Sequence, residues 1–381
     1  MFAAASGAVT VYLVAALAVQ IRAALHLGAD AFGLVIACYY AGAAVTSIAS
    51  GRLAEAHGST RVMRWGAFAA TAILVLIGLF ARTWEVLAGL LFVGGAVAVA
   101  MQNSTNQLLA RRIVPGRQGL AFGVKQAAVP LSTTFAGITV PVLALTVGWR
   151  WAFPVAALFT LVTAALVPRS WRPAGLRLRP KATAEAARPL RPLVVLTVGF
   201  ALGVFATSGL TAFVVTGAVM TGVSKAGAGV LFAVAGAATG CSRVLTGLLA
   251  DRRGHGHLRT AAVMLATGTI GFVVLAVASV AHSEVLYVIG TLVAYTVGWG
   301  WSGLFNFAVV RLHPAAPGQA SSVAQTGARV AGVAGPLVFG IVVAHASYGF
   351  AWTLAACCCV AATVVLLVGR RMHRIATAVI S

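Results

Sequence analysis

Arg329 and Gln325 stand one helical turn apart in a stretch of otherwise small and apolar residues, so a guanidinium and an amide rise from the same helix face. Lys125 and Gln126 form a second pair of cation and amide. Guanidinium, ammonium and carboxamide groups are donors that can hold an oxyanion, most strongly where a full charge assists. A lysine or arginine at mid-membrane costs roughly 2.5–3.5 kcal/mol and marks function by default. The competing reading is pairing with backbone carbonyls or snorkelling, and it suits Lys125 better than Arg329. Asn103, within the polar run 102–107, and Trp299 and Asn306 add amides and an indole. For any one of these the alternative is an interhelical hydrogen bond. The candidate substrate contacts are therefore Arg329, Lys125, Gln126, Gln325, Asn103, Asn306 and Trp299.

The residues that are missing narrow the chemistry further. All six acidic residues, Asp30, Glu55, Glu85, Glu185, Asp251 and Glu284, fall in loops or at the ends of apolar runs, and none of the eight histidines lies in the middle of one. No buried carboxylate relay of the kind used by proton-driven pumps is visible. Arg243 and Arg22 sit toward the ends of their runs and read as snorkelling or loop-pairing cations. The five cysteines lie in apolar segments without CxxC spacing and read as small buried hydrophobes. The Gly-His-Gly-His run at 254–257 has no convergent partners and reads as a solvated loop. No metal and no cofactor is expected.

These side chains must be positioned by membrane helices. The 381 residues are 60% hydrophobic and 9% charged, against about 45–50% apolar in soluble proteins. A spanning helix needs about 20 apolar residues, and such runs occur at 4–26, 31–50, 62–81, 84–110, 119–145, 150–168, 192–216, 226–249, 258–281, 284–310, 318–344 and 346–369. What remains is loops, so a large extramembrane catalytic domain is excluded and the chain is not read as an enzyme. The first run lacks the basic leader of a signal peptide and is expected to stay as the first span.

The net charge of +21 would suggest nucleic acid in a soluble protein, but here it marks topology and no nucleic-acid partner is expected. Twenty Lys and Arg fall on one side of the spans and four on the other, Arg22, Arg82, Arg150 and Lys225. Positive loops stay cytoplasmic, which puts both termini and the linker inside. Residues 169–191 hold seven basic residues against Glu185 alone. They divide the chain into an N-terminal six-helix bundle, 1–168, and a C-terminal one, 192–381.

The halves repeat. A shift of 196 residues lays Gly51, Leu53, Ala54, Glu55 and Gly58 on Gly247, Leu249, Ala250, Asp251 and Gly254, and a shift of 199 lays Arg112, Pro115, Gly119 and Gln126 on Arg311, Pro314, Gly318 and Gln325. Repeated halves put a binding site near the bilayer midplane. In the repeated loop, glycines permit tight turns, and a carboxylate can pair with a cation or a helix N-terminus across the seam.

With Gly247-Leu-Leu-Ala-Asp-Arg-Arg-Gly254 and its weaker echo Gly51-Arg-Leu-Ala-Glu-Ala-His-Gly58, the chain resembles the major facilitator superfamily of secondary transporters over nearly its whole length. The family pattern is G-x-L-A-D-R-x-G. The resemblance implies an all-α membrane protein of twelve transmembrane helices in two pseudo-symmetric six-helix bundles. It further implies that Gly51, Glu55, Gly58, Gly247, Asp251, Arg252 and Gly254 form a cytoplasmic gate, in which Glu55 is expected to latch less well than Asp251. Helices 1, 4, 7 and 10 would line the cavity. The short chain, sparse acids and early Lys-Gln pair of helix 5 are similar to the cyanate and nitroimidazole permease group.

The resulting expectation is a monomeric secondary active transporter in the inner membrane that moves a small organic or inorganic anion by alternating access. An exporter of uncharged or lipophilic compounds, with Trp299, Trp301 and Tyr295 as its wall, is the alternative. A non-transporting sensor or scaffold ranks below both.

Overall fold

The computed structural model describes residues 2–110, 118–167, 190–253, 255–313 and 317–378. Within them every regular element is helical: α1 Phe2–Ala16, α2 Ala18–Leu25, α3 Ala29–Val45, α4 Ser47–His57, α5 Ser59–Phe80, α6 Trp84–Ala110, α7 Gln118–Thr139, α8 Ala152–Leu166, α9 Leu190–Met220, α10 Lys225–Arg253, α11 His257–Ala281, α12 Glu284–Thr296, α13 Trp301–Leu312, α14 Pro317–His345 and α15 Tyr348–Ala378. Nearly all of the 169–191 linker lies outside the described residues, as does Gly254.

Among the described residues nine helical runs are long and apolar enough to cross a membrane, and two bent pairs raise the number to eleven. The run Gly123–Leu166 has 44 residues, about 66 Å at 1.5 Å per residue, or twice the bilayer core. Gly148, at φ +106°, breaks it into two crossings and completes the expected twelve. Large apolar side chains such as Val280, Phe350 and Leu158 stay exposed on the perimeter, where lipid would cover them. With an even number of crossings both chain ends lie on one face, the terminal face, opposite the far face.

Several expected spans are not straight. The first bends by 65° between α1 and α2, and the second by 50° between α3 and α4. At the second bend Thr46 Oγ1 donates to the carbonyl of Gly42 at 2.7 Å, a back-bond that often bends helices. The expected 119–145 helix changes to a π-helix over Val140–Gly148, where Pro141 removes a donor. The expected 284–310 helix is interrupted between α12 and α13 at Val297-Gly298-Trp299-Gly300. Here Gly268 and Gly298 bring α11 and the break into backbone contact, leaving no room for a Cβ.

The halves meet along two seams of small residues, which in a bilayer supply the close packing that hydrophobicity cannot. On one seam α7 crosses α10. A Cβ on Gly123 would lie 2.6 Å from the carbonyl oxygen of Arg243, and one on Gly137 would lie 2.5 Å from that of Gly229. On the other, α3 meets α14 with Gly33 against Pro336 and Gly340. Toward the far face this seam is sealed by rings: Phe32 packs edge-on to Phe213 at 5.8 Å, and Phe213 stacks on Phe339 at 5.1 Å. Toward the terminal face α4 bends onto α5 and α6 of its own half, and Val45 and Ile48 are left 75% and 74% exposed.

Candidate functional site

Between the halves lies a cavity of about 220 Å³. It is built from α1, α3, α6 and α7 on one side and from α9, α10, α14 and the broken span α12/α13 on the other. Six of the seven candidate contacts line it: Arg329, Lys125, Gln126, Gln325, Asn306 and Trp299. Asn103 is not among the lining residues. Neighbours on a helix point about 100° apart, so Gln102 faces the cavity while the Asn103 amide donates to Ser50 Oγ at 2.8 Å and to the Ser47 carbonyl at 3.2 Å. The Asn103 amide therefore ties bent α4 to α6.

Lys125 is buried and Arg329 half-buried, and neither has a hydrogen-bond or ion-pair partner among the described residues. Gln325 does not stand free beside Arg329. Its Nε2 donates to Asn306 Oδ1 at 2.8 Å, and Asn306 Nδ2 donates to the Ser302 carbonyl at 2.9 Å. This chain of amides links α14 to α13 and fixes which amide atoms remain for a ligand.

The residue that sequence reasoning missed is Arg243, which is only 3% exposed and lines the same cavity. Its Nη1 donates to the Gln126 carbonyl at 2.7 Å. Its Nη2 donates to the Trp299 carbonyl at 3.1 Å and to Ser302 Oγ at 3.0 Å. The guanidinium lies 4.7 Å above the Trp299 ring, a cation–π contact strengthened by exclusion of water. The apolar run in the sequence stops at 249, whereas in the structure α10 runs on to Arg253, which places Arg243 about 15 Å from the helix end. The aromatic side of the cavity, Tyr12, Tyr39, Tyr40 and Phe200, was also not anticipated. Tyr12 joins it to Trp299 at 5.9 Å.

No carboxylate among the described residues lines this cavity. Three cations from both halves thus share an aromatic-walled space, a setting in which an entering anion would be held by charge-assisted hydrogen bonds.

The two repeated loops differ. Asp251 Oδ2 accepts a 2.8 Å hydrogen bond from the Leu120 N–H in the first turn of α7, so a carboxylate meets a helix N-terminus across the seam. Beside it, a Cβ on Gly123 would come within 3.4 Å of Gly247 Cα. Arg252 is exposed. In the first copy Glu55 is exposed and has no partner among the described residues. That loop is held within its own half: Gln107 Nε2 donates to the Gly51 carbonyl at 3.3 Å, and Ser59 Oγ donates to Gln107 Oε1 at 3.1 Å. Gly58 ends α4 at φ +85°, a conformation that favours glycine.

Two sets of membrane-length helices around a shared cavity lined by cations, amides and aromatic rings have the layout of a membrane transporter. The sequence pattern of the Major Facilitator Superfamily matches residues 1–336, and the chain belongs to that superfamily. No curated protein matches it by sequence. Among solved structures it is similar to a bacterial homologue of the human lysosomal transporter Spinster. The inward-facing, unoccupied form has a TM-score of 0.70 at 15% identity, covering 99% of this chain and 95% of the other. The inward-facing, occupied form gives 0.69 with the same identity and coverage. At that identity the likeness is one of fold.

Proposed function

We propose that this chain is a secondary transporter that carries a small organic or inorganic anion by alternating access. The observation that carries the reading is the charge of the cavity: Lys125, Arg243 and Arg329 line it, and no described carboxylate does. A buried cation without a counter-ion is costly, and a bound anion supplies what the protein lacks. The division of one cavity between two repeated halves supports rocking around a central site. The basic residues gathered on one side support cytoplasmic termini and an inner-membrane location. The Lys125-Gln126 pair supports kinship with the cyanate and nitroimidazole permeases, and we infer a monomer.

A second reading rests on Tyr12, Tyr40, Phe200 and Trp299, whose rings would suit an uncharged or lipophilic cargo. Binding to purified protein separates the two. Calorimetry with benzoate and phosphate, against a panel of neutral aromatic compounds, is expected to give saturable binding for at least one anion, abolished in Arg329→Met. Binding of neutral aromatics alone, unchanged by that substitution, would turn the assignment to lipophilic export.

A further inference from the structure

Arg243 belongs to the C-terminal half, lines the cavity, and uses its guanidinium to hold the N-terminal half. One nitrogen grips the Gln126 carbonyl on α7 at 2.7 Å, while the other stays with its own half at Trp299 and Ser302. The third nitrogen, Nε, is buried with no partner. Among the described residues no carboxylate pairs with it.

We propose that Arg243 is a ligand-displaced staple: an oxyanion entering the cavity takes the guanidinium from the Gln126 carbonyl and thereby frees α7 from α10. The proposal rests on the reading of the cavity as an oxyanion site. An ionised acceptor makes a hydrogen bond roughly twice as strong as a neutral one, so the anion outcompetes the carbonyl, and the spare Nε–H gains an acceptor once the guanidinium turns toward it. The staple lies where the halves touch backbone to backbone, since a Cβ on Gly123 would be 2.6 Å from Arg243's own carbonyl oxygen. A shift of Arg243 is therefore felt directly by α7. Asp251, eight residues on, ties α10 to Leu120 separately, and Thr134 Oγ1 on α7 donates to the Ala233 carbonyl on α10 at 3.1 Å. Of these three ties only that of Arg243 comes from a residue lining the cavity, so it is the one placed to sense cargo.

The test uses the full chain in lipid nanodiscs with its native cysteines replaced by alanine. Spin labels at Asn106→Cys and Leu249→Cys report the separation of the halves by pulsed electron paramagnetic resonance, and calorimetry measures benzoate binding. Saturating benzoate should lengthen the distance in the otherwise native protein. Arg243→Gln should start at the longer distance, fail to respond, and bind benzoate on the order of tenfold more weakly. Arg243→Lys retains the charge without the fork, so it should start long yet bind within a few-fold of the native protein. If benzoate binds normally but both variants keep the native resting distance and its full response, the staple is wrong and the oxyanion site stands. If neither benzoate nor phosphate binds the native protein, the oxyanion reading fails, and ligand-driven release fails with it.

Discussion

The carboxylate of Asp251 on α10 accepts a 2.8 Å hydrogen bond from the backbone N–H of Leu120 on α7. An acidic residue of one half thus caps the first turn of a helix in the other, where the helix dipole and an otherwise unused N–H both favour negative charge. Its repeat mate Glu55 makes no such contact among the described residues, because α4 bends toward α5 and α6. The two halves repeat in sequence, but among the described residues only the second copy of the loop bridges the seam.

Asp251→Asn should loosen that seam. The amide oxygen can still accept the bond, but the charge interaction with the helix terminus, worth about 0.3–1 kcal/mol, is lost. A cysteine placed at Ala328, which lines the cavity, should then react about two- to five-fold faster with a soluble thiol reagent. An unchanged rate would make the loop a simple turn.

Arg329→Met should abolish anion uptake into proteoliposomes while leaving the protein inserted and no less stable, because it removes a half-buried cation that has no described partner. Arg329→Lys should retain part of the uptake with a raised KM, since the planar fork is lost but the charge is kept. Equal uptake by all three proteins would exclude Arg329 from the site.

Asn103→Ala and Gln102→Ala should separate stability from binding. Asn103 joins α6 to α4 through Ser47 and Ser50, so its removal should cost about 1 kcal/mol and lower the melting temperature without changing anion affinity. Gln102 lines the cavity, so its removal should alter affinity with little effect on melting. The reverse pattern would return Asn103 to the substrate site.

Gly137→Leu should destabilise the protein by about 1–3 kcal/mol or more, the usual penalty for overpacking. A Cβ alone would lie 2.5 Å from both the Gly229 carbonyl oxygen and the Ala233 nitrogen. Thermal unfolding in detergent checks this, with Gly89→Leu as the control because nothing lies within 4 Å of a Cβ at that position. Equal melting temperatures for the two variants would mean that the seam is looser than its geometry.

Topology is tested by a single cysteine at Ala184 in a background without native cysteines. It should react with an impermeant reagent only after the cells are opened, as the bias of basic residues requires. Labelling from outside intact cells would invert the orientation.

The one-dimensional pattern was sufficient for everything that depends on composition and spacing. Apolar runs of membrane length, the repeat that pairs Gln126 with Gln325, and the presence of Lys125 and Arg329 inside such runs can all be read from the spacing of apolar and polar residues. The directions of side chains around each helix did not follow. Gln102 and Asn103 are adjacent in sequence, and only packing against α4 turned one to the cavity and the other to Ser50. Arg243 looked like an end-of-helix cation until the length of α10 buried it beneath Gln126 and Trp299. The first span bends at Leu17 with no glycine or proline beside it. Local sequence sets which residues enter the membrane, because burial there is priced residue by residue. Which of them meet is decided by contacts between helices far apart in the chain, and those contacts exist only once the halves have packed.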